Sequence, residues 1–282
     1  MNRIKIRDFS LAQTLECGQC FHFNKVKDNH YVFVVKDKAY DIEQDGEELI
    51  LYNLTKEDFE RELWSYFDLD TNYNEIKEFL KLKDPRLIPS IDEMGGIKIL
   101  RQEFFETLIS FIISSNNQIP RIKKSVELIS KKYGNFLGTY HGIDAYSFPK
   151  PDQLSNATIE DLRELGVGFR DKYIFEATRQ FIDGCIDESS LRSIDDEQAL
   201  KELTKIKGVG VKVASCVILF SLSKMRAFPI DVWIKRIMQN QYFNGEETKN
   251  DMILNKAREC FAPYEGYAQQ YLFHYGRTMK NV

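Results

Sequence analysis

Apolar and polar residues alternate in the early part of the chain and recur at helical spacing along most of the rest. Between residues 21 and 54 the apolar runs are short: Phe21-His22-Phe23, Tyr31-Val32-Phe33-Val34-Val35, Tyr40-Asp41-Ile42 and Leu49-Ile50-Leu51-Tyr52. Lys27-Asp28-Asn29, Lys36-Asp37-Lys38 and Gln44-Asp45-Gly46 part them, which predicts an antiparallel meander. Helical spacing follows over 56–66 and 72–81, until Asp84-Pro85 and Ile88-Pro89 interrupt it. From Gly96 the period lengthens to three and four. Ile97, Leu100, Phe104, Phe105, Leu108 and Ile112 predict one amphipathic helix running into Ser114-Ser115-Asn116-Asn117. Further helices are expected over 121–132, 159–165, 170–183, 196–206, 211–223, 232–241, 249–260 and 266–280. The fold class is therefore α+β: an N-terminal antiparallel sheet subdomain, 1–88, packed on a mainly α-helical body, 89–282, that contains a helix-hairpin-helix.

Composition narrows the classes. Across 282 residues, 43% are hydrophobic, with 20 Phe and 14 Tyr, which supports a packed core rather than disorder. The net charge of −4 excludes a uniformly basic, histone-like nucleic-acid binder and leaves room for a local basic patch. The longest uncharged apolar run, Val213 to Ser223, is too short to span a bilayer, and MNRIKIRDF carries no apolar secretory core. Five cysteines, odd and sparse, fit a reducing compartment, so an intracellular, non-secreted protein is expected. Cys17-Gly18-Gln19-Cys20 is a lone C-x-x-C. With His22, His30, His141 and His274 scattered, no second half of a zinc site is apparent.

The most informative stretch is Leu203-Thr204-Lys205-Ile206-Lys207-Gly208-Val209-Gly210-Val211-Lys212-Val213-Ala214. One helix ends at Gly208 and another starts at once. Two glycines permit unusual φ angles and close backbone approach, and the second helix begins with free N–H groups that suit a phosphate. On spacing alone a glycine-capped αα-hairpin reads equally well. Local charge favours phosphate: residues 201–240 hold eight cations (Lys201, Lys205, Lys207, Lys212, Lys224, Arg226, Lys235 and Arg236) against Glu202 and Asp231. A second cluster sets Arg121, Lys123, Lys124, Lys131 and Lys132 against Glu127. Lys212 stands in the first turn of an otherwise apolar helix, with Cys216 and Phe220 at four-residue steps on its face. Asp231 follows Phe228-Pro229-Ile230 and is placed as a helix N-cap.

This hairpin-Gly-Lys segment followed by Pro-x-Asp closely resembles the helix-hairpin-helix, Gly/Pro-Asp DNA glycosylase superfamily. Gly18-Gln19-Cys20-Phe21, Ser114-Ser115-Asn116-Asn117-Gln118-Ile119-Pro120-Arg121, Leu165-Gly166-Val167-Gly168-Phe169-Arg170 and Tyr267-Ala268-Gln269-Gln270-Tyr271-Leu272-Phe273 narrow the resemblance to its 8-oxoguanine DNA glycosylase/AP lyase branch. It implies a bifunctional enzyme excising 8-oxoguanine opposite cytosine from double-stranded DNA, in base excision repair, as a monomer without cofactor. Lys212 is then the Schiff-base nucleophile and Asp231 the carboxylate that stabilises the sugar cation. The base pocket is implied to comprise Gly18, whose carbonyl would accept from the lesion's N7–H, with Cys216, Phe220, Gln269 and Phe273. Asn116, Arg121 and Arg170 match positions at the orphaned cytosine. Phe169 takes a wedge position often held by tyrosine, and Trp233 stands where eukaryotic members have histidine. Gly208 and Gly210 contact the phosphate, and the carbonyls of Thr204, Ile206 and Val209 match a cation seat. An iron–sulfur cluster, found in related branches, is not expected, because only Cys260 lies in the last sixty residues. A monofunctional alkylated-base glycosylase on the same scaffold would not need Lys212, and a non-catalytic DNA clamp would need neither Lys212 nor Asp231.

Overall fold

The computed structural model describes residues 2–279. Five strands form one antiparallel sheet: β1 (Asn2–Lys5), β2 (Phe23–Lys27), β3 (His30–Val35), β4 (Lys38–Asp45) and β5 (Glu48–Leu51), in the order β1-β5-β4-β3-β2. Strands β2 to β5 are the expected meander. β1 lies outside that expectation; it pairs with β5 in the register Asn2↔Leu51 to Lys5↔Glu48. A second, two-stranded sheet, β6 (Phe136–Tyr140) and β7 (Ile143–Tyr146), interrupts the helical body. The body is mainly α-helical, as expected, although these two strands lie outside the elements read from the sequence. Its turn, His141-Gly142, has positive φ at both residues (51° and 78°), the type I′ geometry that suits the twist of a two-residue hairpin.

The helices are α1 (Leu11–Glu16), α2 (Lys56–Glu62), α3 (Tyr73–Lys83), α4 (Ile88–Met94), α5 (Phe104–Ser114), α6 (Ile119–Tyr133), α7 (Pro151–Leu154) and α8 (Ile159–Leu162). They continue as α9 (Asp171–Ile182), α10 (Glu188–Ser193), α11 (Asp196–Thr204), α12 (Val211–Ser221), α13 (Val232–Tyr242), α14 (Asn250–Phe261) and α15 (Glu265–Met279). The single helix expected from Ile97 starts only at Phe104. Residues 97–103 form no helix because partners outside the segment take most of their N–H groups. Lys98 N donates to Thr14 Oγ1, Ile99 N to the Tyr73 hydroxyl, Leu100 N to Gln19 Oε1 and Arg101 N to Tyr66 O. The apolar period there marks burial without helix.

Two cores result. One fills the sheet subdomain, with Leu11, Leu15, Tyr31, Phe33, Ile42, Leu49, Leu51, Phe59, Phe67 and Leu100. The other fills the helical body, and Tyr73, Ile76, Leu80, Leu87 and Ile91 belong to it. Packing therefore changes hands between Phe67 and Tyr73. The segment 73–94 lies with the body and contacts α15 through α4. α12 is buried along almost its whole length against α5. Within the body this pair is the rigid spine from which the cleft described next is built.

Candidate active site

A cleft of about 700 Å³ opens where the end of α5, the start of α6, the start of α12, the start of α13 and one face of α15 converge. Its wall includes Gly18, Phe111, Ser114, Asn116, Gly210, Lys212, Asp231, Trp233, Phe273 and Arg277. Lys212 and Asp231, chosen from sequence 19 positions apart, thus face the same space.

The lysine is placed by the chain turn before it. α11 stops, Gly208 turns the backbone at φ +87°, and Gly210 opens α12 in extended conformation (φ −84°). Only Gly208 uses the left-handed region, where L side chains are strained. A Cβ on it would also sit 2.3 Å from Tyr173 Cγ. Gly210 does something else: a Cβ there would meet nothing within 4 Å, so its backbone is open to the cleft. No side chain caps α12, which leaves its first N–H groups directed at any anion that approaches. In the first turn, Lys212 Nζ donates to Ser114 Oγ at 3.0 Å and lies 5.2 Å from the centre of the Phe111 ring. Ser114 Oγ in turn donates to Phe111 O at 2.7 Å. Neutral groups therefore hold the amine at the cleft. Neither Ser114 nor Phe111 was singled out as its partner from sequence, since nothing local in α5 signals a contact 98 residues away.

Asp231 caps α13, accepting from Ile234 N at 2.8 Å, as expected. Burial pushes its carboxyl above the usual range, against the Ile234 N–H and Lys212, which both favour the charged form. Trp233, one residue into α13, lines the cleft, and Val232 beside it is 73% exposed.

Gly18 lies against α15 at φ +86°; a Cβ would meet Arg277 Nη1 and Phe273 Cε1, each at 3.2 Å. Phe273 lines the cleft with the Arg277 guanidinium 5.5 Å from its ring centre, and Arg277 donates to Glu16 O. Arg277 is a wall residue that sequence reading passed over. Its only signal was the four-residue step from Phe273.

Other candidates stand one layer back. Phe220 is buried and stacks on Phe111 at 5.5 Å, so the structure makes it the backing of the wall rather than its lining. Cys216 is likewise buried, its thiol pushed up to about 11 by burial. Gln269 is committed internally: its Nε2 donates to Pro229 O at 3.1 Å and its Oε1 accepts from Gln270. That bond ties α15 to the segment carrying Asp231.

At the rim, Asn116 (φ +50°) lines the cleft and Arg121 is exposed. Phe169 projects, 60% exposed, as does Val211 at 63%. Arg170 does not reach outward: it is buried, donating to Ser115 O from Nε (2.8 Å), to Asn116 O (2.9 Å) and to Val167 O (3.0 Å). Its place is inside the fold, stapling the α5–α6 turn to the loop before α9. The basic cluster of α6 also differs from expectation. Lys123 sits 3.4 Å over the Phe23 ring, Lys124 pairs with Glu127 and Lys132 with Asp161. Cys17 and Cys20 are buried free thiols that donate to the carbonyls of Thr14 and Leu15.

Residues 2–108 match the family model of the 8-oxoguanine DNA glycosylase N-terminal domain, and residues 109–263 that of the HhH-GPD superfamily of base excision DNA repair proteins. The N-glycosylase/DNA lyase OGG1 of Arabidopsis thaliana is 30% identical, the match covering 94% of this chain and 77% of that one. Among solved structures, MBOgg1 in complex with a low-affinity DNA ligand superposes with a TM-score of 0.93 at 41% identity, over 99% of this chain and 96% of that one. The 8-oxoguanine glycosylase/lyase of Clostridium acetobutylicum, solved with double-stranded DNA containing cytosine opposite 8-oxoguanine, gives 0.92 at 39%, over 98% and 93%.

Proposed function

The chain belongs to the 8-oxoguanine DNA glycosylase/AP lyase family of the helix-hairpin-helix superfamily, and from that membership we propose that it excises 8-oxoguanine opposite cytosine through a Schiff base on Lys212. It is a DNA N-glycosylase with DNA lyase activity. The observation that carries the finer reading is the amine of Lys212, held by Ser114 on the wall of a cleft it shares with Asp231.

The lesion leaves the stack for the cleft, at a cost of a few kcal/mol. As the C1′–N9 bond breaks, its electron pair leaves with the base, and the ionised Asp231 offsets the positive charge left on the sugar. The Lys212 nitrogen adds to C1′, giving an iminium after the sugar ring opens. That iminium acidifies the C2′ protons, so loss of one expels the 3′ phosphate by β-elimination. Gly18, Phe273 and Trp233 bound the space for the base, and Asn116 stands at the mouth toward the opposite strand. The open backbone at Gly210 and the uncapped start of α12 receive the phosphate. Ile206 O accepts Val209 N at 3.0 Å and keeps a second lone pair. With the carbonyls of Thr204 and Val209 it makes a neutral oxygen set suited to a monovalent cation or calcium that would neutralise that phosphate. No catalytic step runs through such an ion, and the enzyme works as a monomer without cofactor.

Borohydride trapping on a duplex carrying 8-oxoguanine opposite cytosine tests the reading. Wild type should give a covalent adduct and Lys212→Gln none. Base release by both proteins without an adduct would replace it with a water-dependent glycosylase.

A further inference from the structure

Outside the cleft, one cluster joins the two subdomains. His30 of β3 and Asp41 of β4 are buried, and His141 comes from the β6–β7 turn, 100 residues after Asp41. Both histidines aim Nε2 at the same carboxylate: His30 at Oδ1, 2.6 Å, and His141 at Oδ2, 2.9 Å. The three ligand atoms lie within 4.8 Å of one another, and among the described residues no other group of three metal-ligating side chains is so placed. A second observation concerns the far side of His30. Its Nδ1 is buried without a hydrogen-bond partner, and Glu43 Oε2 stands 3.8 Å away, itself held by the Tyr52 hydroxyl at 2.7 Å. Tyr52 also stacks on the His30 ring at 4.9 Å, fixing its plane.

We propose that His30, Asp41 and His141 bind a divalent transition metal of the zinc class, clasping the β6–β7 hairpin of the body to the N-terminal sheet. Two imidazoles and a carboxylate suit zinc, with ligand bonds of about 2.0–2.2 Å. The ion takes the place of the two N–H···O contacts. Each ring keeps its proton by moving it from Nε2 to Nδ1, and on His30 that proton then points at Glu43, so the orphaned nitrogen gains a partner. A carboxylate behind a ligating imidazole is the usual outer-shell arrangement. His141 is the solvent-facing member, so the remaining coordination position falls to water.

The test starts from full-length protein stripped with chelator and exposed to zinc, then freed of excess by gel filtration. Wild type should retain about one zinc per chain and melt at a higher temperature with metal than without. Cobalt in its place should give visible absorption bands. His141→Ala, a change at an exposed turn, should lose retention, bands and thermal shift together. Glu43→Gln should still bind, about 10-fold more weakly. Zinc that is not retained by wild type overturns the proposal, as does retention unchanged in His141→Ala, which would place the metal elsewhere. A metal-independent loss of stability in that variant, without binding by wild type, would reduce the cluster to hydrogen bonds alone.

Discussion

Asp231 does two jobs with one carboxylate, and they can be separated. Asparagine caps a helix about as well as aspartate, so Asp231→Asn keeps the bond to Ile234 N while removing the charge. Excision should fall by about 10²–10³-fold, the scale for losing a single preorganised electrostatic contact. Stability should move the other way. Burial raises this carboxyl above its ordinary 3.8, so its contribution to folding is favourable below that pH and is lost as pH rises through the raised value. At neutral pH the ionised group is held at a cost that a neutral amide would not bear. Melting curves should put the variant above wild type at pH 7, with the gap closing on acidification. A variant less stable at pH 7 would mean that attraction to Lys212 outweighs burial.

Between elements, one tie is Arg170, whose donors gather carbonyls from the end of α5 and from the 163–167 turn. Arg170→Ala should destabilise by roughly 2–3 kcal/mol in urea unfolding, and Arg170→Lys should not restore it, because a single ammonium cannot reproduce the fork. This position shows what sequence does and does not carry. Helix spacing, the meander, the Gly208 turn, Lys212 and Asp231 were legible because each is written in residues a few positions apart. The inward path of Arg170, the pairing of Lys212 with Ser114 and the retreat of Phe220 behind Phe111 depend on partners 55 to 109 residues away. The same holds for 97–103, where four remote acceptors override an apolar period that reads as helix. Likewise β6–β7 is made by a His-Gly turn that periodicity alone does not separate from a loop.

For the molecule as a whole, charge must be counted after pairing. Most cations of the two basic stretches are spent within the protein: Lys201 on Glu197, Lys205 on Glu202, Lys235 on Glu247 and Arg226 on Glu265. Arg121, Lys131 and Lys207 remain exposed with no ion pair among the described residues. Replacing Lys207 with alanine should weaken duplex binding uniformly across sequences and flatten the slope of log affinity against log salt by about 0.9. An unchanged slope would move the phosphate footprint to backbone N–H groups alone.

Phe169, Val211 and Val232 are each more than half exposed, Val232 on the cleft wall and Val211 next to the wall residues Gly210 and Lys212, and a bound duplex that covers them buries apolar surface. Covering apolar surface lowers the heat capacity of the system. Titration calorimetry across a range of temperatures should therefore find a binding enthalpy that grows more negative on warming, and Phe169→Ser should blunt that trend. The temperature dependence of DNA association would then be written less in its charges than in three side chains that carry none.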